Sequence, residues 1–244
     1  MKNSIKYLLQ KTLGFKNYLY VFALFKIRTL KNDSKEKDFF HFLKLIEDKK
    51  GLILDIGANL GIMSYHLAKS FPNTTVHAFE PIPANFNVLE KIKDKFQLKN
   101  IQLHELALGS QKQQAKMILP EQNKVLLQGL SHVKHESIVD LNEGQEFEVE
   151  MDLLDNIFNG ELIQAIKLDV ENFEFFVLQG GQRIISQNHP IIYAELWENE
   201  NRNQCFDFLS KFDYKAYVVN KTKVELYNPT QHKHQNFIFK VEGI

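Results

Sequence analysis

The stretch LILDIGANLGIMS, residues Leu52 to Ser64, decides how the rest of the chain is read. An apolar run leads into Asp55, a tight turn with Gly57 and Gly61 follows, and helical periodicity begins near Ile62. Strand, acidic residue, glycine loop and helix in that order build a nucleotide-type cofactor site. Glycine adopts backbone conformations closed to residues with a Cβ and lets a ligand approach the main chain. The first turn of the helix points unpaired N–H groups at whatever lies over the loop.

The loop lacks the three glycines of the dinucleotide pattern, which supply a tight turn, room for a pyrophosphate and close helix–strand packing. A carboxylate at Asp55 repels a pyrophosphate but accepts hydrogen bonds from an ammonium group or water. S-adenosylmethionine carries an amino-acid moiety and no phosphate, so the acidic entry suits it better. A second strand, Thr75 to Phe79, ends in Glu80. An acid at that position is expected to accept the ribose hydroxyls, as in dinucleotide folds.

Outside the loop, composition sets the bounds. The 244 residues suffice for one α/β domain with an appendage or for two small domains. Thirty basic residues balance thirty acidic ones, so nothing argues for nucleic acid as a partner. A single cysteine, Cys205, excludes an internal disulfide and a cysteine-based zinc cluster. No apolar run approaches a membrane span; the longest N-terminal one, Tyr18 to Phe25, is bracketed by Lys16 and Lys26. No small-residue cleavage site follows it, and a cytoplasmic location is the expectation.

Two units are expected: a helical segment over 1–50 and a cofactor-binding domain over 51–244. In the first, Ile5, Leu8, Leu9 and Leu13 share a helical face, and Tyr18, Phe22 and Phe25 form a second patch. The segment reads either as a cap packed on the domain or as an interfacial surface for a membrane, a lipid-linked substrate or a second subunit. In the second unit, strands alternate with helices, which implies a parallel sheet covered on both faces. Ile62, Met63, Leu67 and Phe71 are the expected core face of the first helix, and Val88, Leu89, Ile92 and Phe96 that of a helix over Pro83 to Phe96. A third strand, Ile101 to Leu106, follows. The polar stretch from Ala107 to Met151 is expected to be a small hairpin and an irregular excursion. Strands at Ala165–Asp169 and Pro190–Leu196 and helices from about Phe173 and Asn201 complete the alternation. Strands over Tyr214–Val219, Val224–Tyr227 and Phe237–Val241 suggest an antiparallel edge.

DIGANLG at 55–61, AFEP at 78–81, ALG at 107–109, IKLDVENFE at 166–174 and NFIF at 236–239 together resemble the FkbM family of S-adenosylmethionine-dependent methyltransferases. The resemblance spans about Leu52 to Val241. It implies the class I methyltransferase fold: a Rossmann-like, seven-stranded, mostly parallel sheet with a reversed last strand. It also implies O-methylation of a sugar, glycan or small natural product. Carried over, Asp55, Gly57, Ala58, Asn59 and Gly61 line the methionine end, Glu80 and Pro81 flank the ribose, and Ala107 and Leu108 sit near the adenine. Where the family usually has glycine after the K-x-D-x-E glutamate, this chain has Asn172. Asparagine tolerates positive φ better than most residues.

An attacking hydroxyl needs its proton removed or strongly hydrogen-bonded. Open α/β sheets bind ligands beyond the carboxyl ends of their strands, where Asp169, Glu171, Glu174 and Glu195 fall. Asp169 is the expected residue nearest the methyl, also touching the cofactor, with Glu171 orienting or deprotonating the acceptor. Glu174 also reads as a helix first-turn acid. His132 and His135 are further candidate bases, whereas His66 and His77 read as packing residues. Asp152, Asp169 and Glu171 offer hard oxygen ligands suited to magnesium, but no ligand spacing supports a metal. Two other readings remain: a nucleotide-dependent sugar-modifying oxidoreductase, and a catalytically silent binding subunit on the same fold. A homodimer is a further expectation for the assembly.

Overall fold

The computed structural model describes residues 2–48, 51–138 and 140–242. Three helices come first: α1 (Lys2–Leu13), α2 (Phe15–Thr29) and α3 (Lys37–Leu43). The alternating part follows with β1 (Leu52–Ile56), α4 (Ile62–Ser70), β2 (Thr75–Phe79), α5 (Pro83–Phe96) and β3 (Ile101–His104). Next come β4 (Ala107–Leu108), β5 (Gln113–Gln122), β6 (Val125–Leu126), β7 (His132–Val133) and β8 (Gly144–Asp152). The chain then returns through α6 (Leu154–Ile157), β9 (Ile163–Leu168), α7 (Glu174–Gly180), α8 (Gln182–Asn188), β10 (Ile191–Glu195) and α9 (Glu200–Ser210). It closes with β11 (Tyr214–Asn220), β12 (Lys223–Leu226) and β13 (Asn236–Val241).

The main sheet has the order β12-β11-β13-β10-β9-β1-β2-β3. β1 pairs in parallel with both β2 and β9, so the chain direction across the sheet reverses at β1. β13, the last strand, runs antiparallel to β10 and β11. This is the expected seven-stranded sheet with its reversed final strand, widened by β12, which pairs antiparallel with β11 at the edge. Central strands buried on both faces read as continuous apolar runs, and β1 is buried from Ile53 to Ile56.

Local sequence explains the elements beside the site. Pro83 opens α5, where its missing N–H costs nothing, and Gln97 ends the helix in a left-handed conformation. Val88, Leu89 and Ile92 face inward as expected. Ile62 and Met63 of α4 are only half-buried, because they border a cavity described below. The helix expected from Phe173 is two short ones, α7 and α8, which meet at Gly181.

The excursion differs most from expectation. β5 and β8 form a long antiparallel ladder from Gln113↔Met151 to Pro120↔Gly144, with β4 and β6 at its sides and β7 on β5. In β8, Phe147, Val149 and Met151 turn inward while Glu146, Glu148 and Glu150 face solvent, which is the period-two pattern of a half-buried strand. A small hairpin understates this second sheet.

The N-terminal helices share the apolar layers of the domain. Tyr18, Leu19, Ala23 and Ile27 of α2 pack with Leu60, Val88 and Ile92. Phe39 and Phe42 of α3 are fully buried and lie against the Tyr193 ring; truncating such a phenylalanine to alanine costs about 3–5 kcal/mol. α1 sits further out, tied to β6 by two reciprocal bonds: Gln10 Nε2 donates to the Leu126 carbonyl at 3.1 Å, and Leu126 N–H donates to Gln10 Oε1 at 3.2 Å. Of the expected α1 stripe, Leu8, Leu9 and Leu13 are exposed, and the Ile5 side chain lies outside the described residues.

Candidate active site

Two cavities meet beyond the carboxyl ends of β1, β2 and β9, where the sheet changes direction. The glycine loop lies between them. Gly57 has φ +74° and Gly61 φ +77°. A Cβ on Gly57 would sit 1.8 Å from the Asp169 carbonyl oxygen, so this glycine is demanded by close packing of two strand ends rather than by a ligand. A Cβ on Gly61 would meet the Leu89 side chain at 2.5 Å. Gly61 seats α4 on α5 and does not line either cavity.

Asp55 is also placed differently from expectation. Its side chain is fully buried beneath the loop, accepting from Ser64 Oγ at 2.5 Å and pairing with Lys167 Nζ at 3.3 Å. It touches neither cavity wall. Lys167, to which the expectations gave no role, is the hub: its ammonium donates to the Gly57 carbonyl at 2.8 Å and pairs with Asp169 at 3.5 Å. Burial alone would lower its pKa, but Asp55 and Asp169 outweigh that and hold it raised. One buried cation therefore joins β1, the loop and β9.

The first cavity is lined by Gly57, Asn59, Glu80, Pro81, Ala107, Leu108 and Asp169, among others. Glu80 Oε1 accepts from Ile82 N–H at 3.0 Å and Asn85 Nδ2 at 3.2 Å, and Oε2 accepts from Asn59 N–H at 2.9 Å. A carboxylate offers about four acceptor sites, so one on Oε2 remains. Burial raises the Glu80 pKa to about 7 against the pull of these donors. Asn59 holds φ +50°, and its side chain donates to the Gln128 carbonyl at 3.2 Å.

The excursion supplies the roof of this cavity. Met117, Gln128, Gly129, Ser131 and Val133 line it, none of them foreseen from sequence. Asn85 Oδ1 and Gln128 Oε1 are buried acceptors without a donor. Most buried polar atoms are hydrogen-bonded; these two oxygens are not, and both of their residues line this cavity.

The second cavity is bounded by Glu36, Lys167, Glu195 and Trp197, and by Lys6, Phe22 and Lys26 from the N-terminal helices. Ala58 lines it too. Asp169 and Glu171 border both cavities. Burial first, then Asp169, Glu195 and Glu174, push the Glu171 pKa far above the usual carboxylate range. Glu195 is raised by burial and Asp169. Burial and the neighbouring carboxylates thus favour the protonated form of Glu171, which suits the orienting alternative of its expected role better than the deprotonating one. Glu171 and Asn172 hold φ +52° and +71°, so asparagine does occupy a left-handed position, and its Oδ1 accepts from Asn199 Nδ2.

The other candidates lie apart. Glu174 is buried and closes the turn, accepting from Val170 N–H at 3.1 Å and Asn201 Nδ2 at 2.6 Å. His132 points its two ring nitrogens at the Leu130 carbonyl and Asn142 Oδ1, and His135 packs on the Phe176 ring; neither lines the two cavities. His66 is packed against Phe40 and Tyr65, and His77 against His104; burial lowers both imidazoles to about 4. The Asp152 carboxylate is occupied by Lys112 and Asn156. Among the described residues no cluster of three His, Cys, Asp or Glu side chains could hold a metal ion.

A parallel sheet reversing direction at β1, a reversed final strand and a cavity over an acid-bearing glycine loop define a class I methyltransferase fold. The chain belongs to the Methyltransferase FkbM domain family, matched over residues 55–223. It is similar to Methyltransferase 1 of Beauveria bassiana (strain ARSEF 2860), with 26% identity over 142 residues, covering 52% of this chain and 57% of that protein. The crystal structure of Methyltransferase FkbM from Methylobacillus flagellatus KT superimposes with a TM-score of 0.55 at 15% identity, over 81% of this chain and 45% of that one. The chain thus spans about half the length of these relatives.

Proposed function

We propose that the first cavity binds S-adenosylmethionine and that the chain transfers its methyl group to a hydroxyl oxygen of a sugar, glycan or small natural product held in the second. The observation that carries this reading is the set of acceptor atoms on the first wall: the spare Glu80 Oε2 site and the orphaned Asn85 Oδ1 and Gln128 Oε1. Ribose hydroxyls, an adenine amino group and an ammonium are donors and satisfy such a wall. A pyrophosphate offers only acceptors, which disfavours a nicotinamide dinucleotide.

Bound there, S-adenosylmethionine supplies a methyl group already activated for displacement. Glu80 holds the ribose, and Ala107 and Leu108 cover the base. Asp169, fixed by Lys167, takes the acceptor hydroxyl proton on a carboxylate oxygen as that oxygen attacks. Glu171, protonated, donates to a neighbouring acceptor oxygen and sets its direction. Alignment of this kind is worth up to roughly 7–11 kcal/mol in favourable cases. The carboxylates and Trp197 suit a polyhydroxylated acceptor, which offers hydroxyls to the acids and an apolar ring face to the indole.

Calorimetric titration with S-adenosylmethionine, its demethylated product and NADH tests the cofactor. Binding of the first two alone supports the reading; preference for NADH overturns it. Incubation with labelled methyl donor and a panel of glycans, lipid-linked sugars and hydroxylated natural products then tests transfer. A chain that binds the donor but labels no hydroxylated acceptor is a silent binding subunit.

A further inference from the structure

α2 is apolar on two sides. One side packs on the domain through Tyr18, Leu19, Ala23 and Ile27. The other leaves Val21 and Phe25 in solvent, 52% and 60% exposed, and Leu8 of α1 is 59% exposed as well. Leu9, Leu13, Val21, Phe22 and Phe25 line one apolar groove between the two helices. Monomeric soluble proteins seldom leave such a contiguous patch uncovered.

Charge says what covers it. Residues 1–32 contain seven Lys and Arg and no Asp or Glu, in a chain whose total is thirty of each. Arg28 follows Val21 and Phe25 at helical spacing, and Lys11 lies one turn from Leu8, with Lys11, Lys16 and Arg28 all exposed. A second copy of this face would bring like charges together, so self-association through it is disfavoured. α1 and α2 have 12 and 15 residues, and no helix among the described residues is long and apolar enough to cross a membrane. Exposed Leu, Val and Phe flanked by Lys and Arg on short helices fit the plane of a membrane interface.

We propose that α1 and α2 form a docking face for an anionic lipid bilayer. Leu8, Leu9, Leu13, Val21 and Phe25 enter the boundary between headgroups and acyl chains, and Lys11, Lys16 and Arg28 meet lipid phosphates. The face adjoins the acidic cavity, because Lys6 and Phe22 line both the groove and that cavity. Docking therefore sets the mouth of that cavity beside the bilayer. The docking itself does not depend on the methyl-transfer reading.

Flotation of the full chain with vesicles of phosphatidylcholine alone, and with added phosphatidylglycerol, tests the proposal. Partition into the anionic vesicles is expected to be at least about tenfold stronger. It should fall about tenfold in Val21→Ser/Phe25→Ser, in Leu8→Ser/Leu13→Ser and in Lys11→Glu/Lys16→Glu. These side chains are exposed, so thermal melts should match the parent and exclude misfolding. Equal partition into both vesicles, no partition into either, or anionic binding unaffected by the two serine variants overturns the proposal. A dimer that Phe25→Ser dissociates, in a chain that ignores vesicles, assigns the face to a second copy instead.

Discussion

In the cavity beside Glu80, polar atoms are fixed one by one through hydrogen bonds from Ile82, Asn85 and Asn59. In the adjoining cavity, Glu36, Asp169, Glu171 and Glu195 gather near Lys167 with few such bonds, and burial and mutual repulsion raise Glu171 and Glu195. The first arrangement selects a ligand by matching donors to acceptors. The second is set by protonation, so its character changes with pH and with the acceptor that enters. On the proposed reading the former holds the cofactor and the latter the acceptor.

The sharpest test of this contrast lies at the boundary. Asp169→Asn removes the proposed base while keeping its shape, and kcat should fall by about 10²–10⁴ with calorimetric affinity for the donor changed far less. Equal losses in both would make Asp169 a cofactor ligand only. Glu80→Ala should weaken S-adenosylmethionine binding by about 1.5–3 kcal/mol, read by titration, and leave the acidic cavity untouched.

Protonation separates the cavities next. The Glu80 pKa of about 7 means that its carboxyl is largely protonated at pH 6 and ionised at pH 8. Ribose hydroxyls donate best to the ionised form, so donor affinity should rise with pH across that interval. Glu80→Gln should flatten the curve. Glu171→Gln imitates the protonated acid, and kcat at pH 7 should stay within about tenfold of the parent; a loss as large as that of Asp169→Asn would make Glu171 the base after all. The smallest effect is structural. Asn172→Gly should leave the melting temperature close to the parent, whereas Asn172→Val, forced to φ +71°, should cost about 1–3 kcal/mol.

The acids in and beneath the first cavity were the more legible from sequence because they sit at strand tips. Asp55, Glu80 and Asp169 each end an apolar run, and local order suffices to find them. What they touch was not legible. Asp55 reads as a ligand contact until Lys167, 112 residues later in the chain, is seen to occupy it. The orphaned state of Gln128 Oε1 depends on the β5–β8 ladder, whose pairing is long-range. One signal was missed: the alternation of Glu146, Glu148 and Glu150 with Phe147, Val149 and Met151 is a strand pattern in plain view. The left-handed Asn172 was foreseen because its neighbours in the K-x-D-x-E run fix the turn.

Gln10 has a consequence of its own. By donating to and accepting from Leu126, its amide behaves as an extra rung of sheet, and the chain runs on within a few residues to Gln128 and Gly129, which line the first cavity. The outermost helix is thereby latched to the ceiling of the innermost chamber. Two hydrogen bonds on one side chain thus connect the rim of the molecule to the segment that roofs the first cavity.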